Sequence, residues 1–196
     1  CFNLPDGFDH DAIYAEISTK ILHGQNKDAL AKTQKGNWKY DVIEPGFKCN
    51  MTDLQAAIGL VELERYSESL ERRKEIFRLY EEGFSNESWA ILPLYASEQK
   101  TSSYHLFLLR VDGATEEERD AIIQDIFNHD VSVNVHFQPL PILTAYKNLG
   151  YKMDNYPEAY RKYANEISLP VYFNLTDDQV RTVIEAVKSS VNQILS

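Results

Sequence analysis

Apolar and polar residues alternate along this chain with a period that changes between segments, and each change marks an element. Ile13, Ile17 and Ile21 recur at i+4 spacing, which predicts a helix over 9–22 with one apolar face. His23-Gly24 follows, and Gly24 suits the C-cap of that helix. From Gln25 to Cys49 the pattern is polar and loop-like, with Gly36, Asn37, Pro45 and Gly46. Loops this long are uncommon in compact domains and often functional. This one carries Trp38 and Tyr40 with no apolar partner nearby in sequence. The two rings are candidates to cover a partner subunit or another part of a longer chain.

Thr52-Asp53-Leu54-Gln55 has the form of a capping box, a hydroxyl N-cap with Gln three positions on. Leu54, Ala57, Ile58 and Val61 continue it as an apolar stripe at helical spacing. The pattern runs on through Leu70, Ile76, Phe77 and Tyr80 to Gly83, which predicts one long helix. Its middle, Glu71 to Glu75, mixes both signs of charge and reads as a solvated face. Residues 103–111 read as a strand that is apolar on both sides, which favours a core histidine over a ligand at His105. Thr115-Glu116-Glu117-Glu118 is a second capping box, opening a helix to about His129. Val131 to Phe137 alternates as a strand, with the valines and Phe137 on one side and Ser132, Asn134 and His136 on the other. Pro139 and Pro141 end it. A short helix over 142–149 stops at Gly150, and another starts at Pro157 and runs to about Ile167. Thr176-Asp177-Asp178-Gln179 is a third capping box, ahead of a helix with Val180, Val183, Ile184, Val187, Val191 and Ile194 on one face. Helices alternating with two or three strands predict a two-layer α/β fold, α+β in its detail, for the body from residue 51 onward. There is no internal repeat and no low-complexity segment.

Composition narrows the function classes. The 196 residues suffice for one ordinary domain, or for a small domain with a piece of another. A hydrophobic content of 43% and a charged content of 26% are globular values. A net charge of −10 argues against a nucleic-acid partner, although one local site can still be positive on an acidic protein. Cys1 and Cys49, the two cysteines, make no disulfide framework, so a reduced, cytoplasmic setting is expected. No signal-peptide pattern and no bilayer-length apolar run is visible, so no membrane association is expected. The chain begins at Cys1 rather than Met, which suggests a processed chain or a portion of a longer one. The five histidines are scattered and no metal site is expected. Cys49 has no evident base beside it, which counts against nucleophilic catalysis by its thiol.

The most informative segment is Pro45-Gly46-Phe47-Lys48-Cys49-Asn50-Met51-Thr52, a turn leading into a capped helix start. Such an end offers free N–H groups and a partial positive charge, which suits a phosphate. Lys48 and Asn50 add a cation and an amide donor. Most helix starts bind only water or their own cap, so the residues alone leave both roles open.

The run from Pro45 to Leu60 closely resembles the signature G-[YF]-x-x-N-M-T-D-[IL]-Q-A-A-I-G of the DegT/DnrJ/EryC1/StrS family, fold-type I enzymes that use pyridoxal phosphate (PLP) to aminate nucleotide-linked keto sugars. Later segments resemble the family in the right order: Tyr104-His105-Leu106-Phe107, then Val133 to Leu140, then Leu169-Pro170-Val171-Tyr172 with Leu175-Thr176. Two departures stand out. Asp130-Val131 lacks the usual Gly, and Leu22-His23-Gly24 matches an R-x-H-G landmark only in part. The resemblance covers essentially the whole chain.

The resemblance implies the C-terminal part of a fold-type I transferase. Residues 1–50 would be the end of the large PLP-binding domain with a subunit-crossing loop, and 51–196 the small domain. It implies PLP as cofactor, an amino donor such as glutamate, a nucleotide-sugar substrate, and a homodimer with shared active sites. Asn50 matches the family position that contacts the PLP phosphate of the neighbouring subunit, with Lys48 beside it; helping to cap the Thr52 helix is its alternative. His136 matches a substrate-binding position and shares its polar side with Asn134; an ordinary half-exposed histidine is the alternative. Trp38 and Tyr40 fall in the crossing loop, and Tyr146 on the substrate side. The family's Schiff-base lysine precedes its His-Gly landmark, and none of the lysines here occupies that motif. The resemblance therefore implies no catalytic residue within these 196 residues and no transamination by them alone. A non-catalytic, truncated homologue that binds or regulates a partner is the alternative.

Overall fold

The computed structural model describes residues 5–26 and 41–195, which form two compact units, Cys1–Glu64 and Arg65–Ser196. Trp38 and Tyr40 lie outside the described residues.

In the first unit, α1 (His10–Ile21) starts on Asp9, whose carboxylate accepts the Ala12 N–H at 3.0 Å. It buries no residue; Ile13, Ile17 and Ile21 are half-buried. The chain then turns at His23-Gly24 and a later stretch comes back alongside. His23 N–H donates to the Phe47 carbonyl at 2.9 Å, Phe47 N–H to Lys20 at 2.7 Å, and Ile43 N–H to Gly24 at 2.9 Å. α2 (Asp53–Glu64) follows with its capping box formed: Thr52 N–H donates to Gln55 Oε1 at 2.9 Å, and Gln55 N–H to Thr52 Oγ1 at 3.3 Å. It also buries nothing, and Leu54 and Ile58 are exposed, so its own side chains tie it into no core.

The predicted long helix is two. α2 ends at Glu64 and α3 (Tyr66–Phe84) begins after Arg65, whose ψ of −5° departs from helix. No Gly or Pro marks that break. The charged middle of α3 is only partly solvated. Arg72 is half-buried and binds Glu75 at 2.6 Å, Asp177 at 2.8 Å and the Leu175 carbonyl.

The second unit is built on a three-stranded antiparallel sheet in the order β1 (Ala90–Ile91), β4 (Phe107–Val111), β5 (Glu166–Leu169). β2 (Ala96–Ser97) and β3 (Lys100–Thr101) form a separate hairpin. α3, α4 (Glu116–Asn128) and α7 (Asp177–Leu195) supply the helical layer, with α7 packed on both others. Phe107, Leu109 and Val111 alternate into this core with Ile167 and Leu169. Phe77 meets Tyr95, Tyr104 and Phe107 edge-on, with ring centroids 5.0–5.5 Å apart. The capping boxes at Thr115 and Thr176 both form. Between α4 and β5 lie α5 (Thr144–Asn148) and α6 (Pro157–Tyr163).

Five expectations fail for local reasons. β4 begins only at Phe107, because Tyr104 sits at φ 53° and takes the chain out of the pleat; His105 is therefore exposed, not in the core. Val131 to Phe137 is no strand. Its ladder with β5 is a single bridge, Asn134 to Ser168, because the next two N–H groups go to side chains. Val135 N–H takes Asn134 Oδ1 at 2.8 Å, and His136 N–H takes Glu166 Oε2 at 2.9 Å. Val131 and Val133 are buried, but Phe137, expected on their side, is 73% exposed. Finally, α6 stops at Tyr163, and the buried strand β5 occupies residues assigned to its end.

Candidate active site

The first unit carries Lys48 and Asn50. The His23-Gly24 turn and the Pro45-Gly46 turn press backbone against backbone. A Cβ on Gly24 would lie 1.7 Å from the Glu44 carbonyl oxygen, and one on Gly46 would lie 2.3 Å from the Gly24 nitrogen. These contacts fix the chain that leads to Lys48, which bridges back to Leu22. Lys48 Nζ donates to Asn50 Oδ1, so the Asn50 amide keeps its N–H groups for another acceptor. Both side chains are exposed, just ahead of α2. The Thr52 hydroxyl occupies only the Gln55 N–H of that helix end. A cation, an amide and a helix N-terminus are a donor set that fits the phosphate end of PLP.

The second unit brings His136 and Asn134 together against β5, around a buried carboxylate that the sequence did not single out. Glu166 is 4% exposed and spends both oxygens locally: Oε1 accepts from Ser168 Oγ at 2.5 Å and Oε2 from the His136 N–H. Asn134 is exposed, with its Oδ1 occupied by Val135 N–H. His136 and Phe137 line a cavity of about 510 Å³ with Leu108, Arg110, Lys162 and Glu166. His136 Nδ1 is buried there without a partner. Tyr146 lies elsewhere, in an apolar cleft of about 310 Å³ with Tyr151 and Tyr156.

Arg119 was also missed. It is 1% exposed, donates from Nη1 to the Tyr163 carbonyl at 2.9 Å and the Glu166 carbonyl at 3.2 Å, and lies 4.7 Å over the Tyr163 ring. Its signal was its place on the stripe of Ile122 and Ile126, where a charge is out of pattern. Beside it, burial works to raise the Glu116 carboxyl, but the hydroxyls of Tyr160 and Tyr163 and the nearby Arg119 together hold it below the usual range.

Burial pushes the Glu166 carboxyl up, and the Ser168 and His136 donors offset this only in part. The folded chain thus keeps this proton to higher pH than the unfolded chain. The stability it brings is complete below the unfolded carboxyl value of about 4.3 and is lost as pH rises through the folded value. Urea midpoints of wild type and Glu166→Gln, followed from about pH 4 to about pH 7, should therefore diverge, with wild type losing ground as pH rises. A difference independent of pH would show that the carboxyl is not perturbed.

Among the described residues no group of three or more His, Cys, Asp or Glu side chains is placed to hold a metal ion, and no helix is long and apolar enough to cross a membrane.

The chain has the fold of fold-type I PLP-dependent aminotransferases. Residues 8–188 match the DegT/DnrJ/EryC1/StrS aminotransferase family, and the chain belongs to it. The spore coat polysaccharide biosynthesis protein SpsC of Bacillus subtilis is 36% identical over 189 residues, covering 93% of this chain and 48% of that protein. An uncharacterised protein of Methanocaldococcus jannaschii is also 36% identical over 189 residues, covering 94% of this chain and 48% of its own length. A candidate sugar aminotransferase of Streptococcus pneumoniae, solved in its PMP form, superposes with a TM-score of 0.90 at 45% identity, over 98% of this chain and 48% of that one. Its PLP form gives 0.89 at 42% identity. The chain spans about half the length of the curated relatives it matches.

Proposed function

We propose that these residues are the C-terminal portion of a PLP-dependent aminotransferase that converts a nucleotide-linked keto sugar to an amino sugar, with an amino donor such as glutamate. Residues 1–50 close the large cofactor domain and include its subunit-crossing loop, and 51–196 are the small domain. The enzyme works in the cytoplasm as a homodimer with shared active sites. The observation that carries this is the Lys48–Asn50 pair ahead of the capped α2, held in place by the Gly24 and Gly46 turns. Asn50 and Lys48 hold the cofactor phosphate. His136, with Asn134, and Tyr146 belong to the substrate side, as do Trp38 and Tyr40 of the loop. When bound, PLP supplies the aldehyde that takes up the donor's amino group and passes it to the sugar. The lysine that anchors it comes from outside these residues.

The test uses the complete protein. Asn50→Ala should weaken PLP binding about tenfold, read by equilibrium dialysis, by loss of a charge-assisted contact. Wild-type protein given glutamate and a panel of nucleotide-linked keto sugars should release an amino sugar. In parallel, borohydride reduction of the 196-residue chain with PLP, followed by peptide mass spectrometry, should label no lysine stoichiometrically. Stoichiometric labelling of one lysine would overturn the assignment, because the chain would then hold its own cofactor-anchoring amine.

A further inference from the structure

We propose that Arg110 and Lys162 form an oxyanion subsite in the cavity lined by His136 and Phe137, receiving the diphosphate or the carboxylate of a substrate of the reaction proposed above. The inference rests on that aminotransferase reading for the identity of the ligand. It rests on the second unit alone for its geometry.

Arg110 lies on the central strand, β4. Phe107, Leu109 and Val111 turn into the core, so Leu108 and Arg110 share the other face of the sheet. Directly across on β5 stands Glu166. Opposite charges in that register ordinarily pair. Here both Glu166 oxygens are committed, one to Ser168 Oγ and one to the His136 N–H. Among the described residues no ion pair or side-chain hydrogen bond engages the Arg110 guanidinium; the Lys162 ammonium, which reaches the cavity from α6, has none either and feels Glu158 one turn back only through space.

Most other arginines of this acidic chain find carboxylates. Arg72, Arg78, Arg119, Arg161 and Arg181 each pair with a carboxylate, in a protein with 30 Asp and Glu against 20 Lys and Arg. A half-buried guanidinium on a central strand that stays unpaired carries a desolvation cost that a bound anion would offset. The cavity, about 510 Å³, is of a size that takes small ligands. Its Leu92, Leu94 and Leu108 walls lower the local dielectric and strengthen attraction to the two cations. The unpartnered His136 Nδ1 adds a polar atom whose burial a ligand or a bridging water can satisfy. Glu166 has a positioning role: it holds the His136 N–H and so places that segment, and its oxygens are bonded to Ser168 and His136 rather than to the Arg110 guanidinium.

Calorimetric titration of the complete protein at low ionic strength tests this, with inorganic pyrophosphate in one arm and glutamate in the other. At least one of the two should bind, and Arg110→Met and Lys162→Met should each weaken that binding about tenfold. Arg78→Met, outside the cavity, should leave it unchanged. Loss in the pyrophosphate arm identifies the diphosphate as the ligand group, and loss in the glutamate arm the donor's carboxylate. Lys162 is exposed, so its variant reports even where Arg110→Met disturbs the sheet. Binding of neither probe by wild type, or wild-type affinity in the Lys162 variant, would overturn the subsite. Binding that depends on both cations in a complete protein that aminates no sugar would leave the subsite standing and remove the aminotransferase reading.

Discussion

Replacing Arg119 with alanine is expected to lower the stability of the second unit by about 4 kcal/mol. The guanidinium is fully inside, where it bridges the carbonyls of Tyr163 and Glu166, pairs with Asp120 at 2.7 Å and lies over the Tyr163 ring. Alanine removes all of this at once. Two buried carbonyls lose a donor, a stem-sized void opens between α4 and the α6–β5 connection, and Glu116 loses a neighbouring positive charge. Urea denaturation followed by circular dichroism measures the loss. Lysine should recover little of it, since an ammonium cannot span both carbonyls and stack on the ring. A loss under about 1.5 kcal/mol would show that this network is dispensable.

Gly24→Ala should be the most damaging change in the first unit. Gly24 sits at φ 74°, and its added methyl would meet the Glu44 carbonyl oxygen at 1.7 Å, a backbone atom that cannot swing aside. The strand-like return over 41–48 must then leave Gly24, at an expected cost of about 3 kcal/mol or more. Hydrogen exchange should show the Ile43 and Phe47 amides, which donate to Gly24 and Lys20, losing their protection. Gly46→Ala should act through the same contact from the other side. In the complete protein either variant should weaken PLP binding, because Lys48 and Asn50 hang on that return. Retained protection at Ile43 would mean that the two turns do not support each other.

Both predictions concern contacts of different legibility. The glycines stand in motifs visible in the sequence, and the structure supplies only their reason: each turn leaves no room for a Cβ on the other. Arg119 could be noticed as a charge on an apolar stripe, but its partners are carbonyls 44 and 47 residues away, which no local pattern names.

Local chemistry determined what the sequence by itself could: three capping boxes, the amphipathic α7, the Gly24 turn and the family signature from Pro45 to Leu60 are all written within a few residues of one another. Whatever depended on the neighbouring strand was decided by tertiary structure. Val131 to Phe137 has the alternation of a strand, yet the Asn134 and Glu166 side chains take the N–H groups that a ladder would need. β5, at four residues, is too short to show a period, and it exists because β4 offers it a full edge. The long helix breaks at Arg65 with no breaker residue to announce it. That the Arg110 guanidinium pairs with no carboxylate among the described residues, although Glu166 stands opposite, follows from the bonds Glu166 makes to Ser168 and to the His136 N–H. Side-chain hydrogen bonds between segments far apart in sequence carry no periodicity, so only the folded chain reveals them.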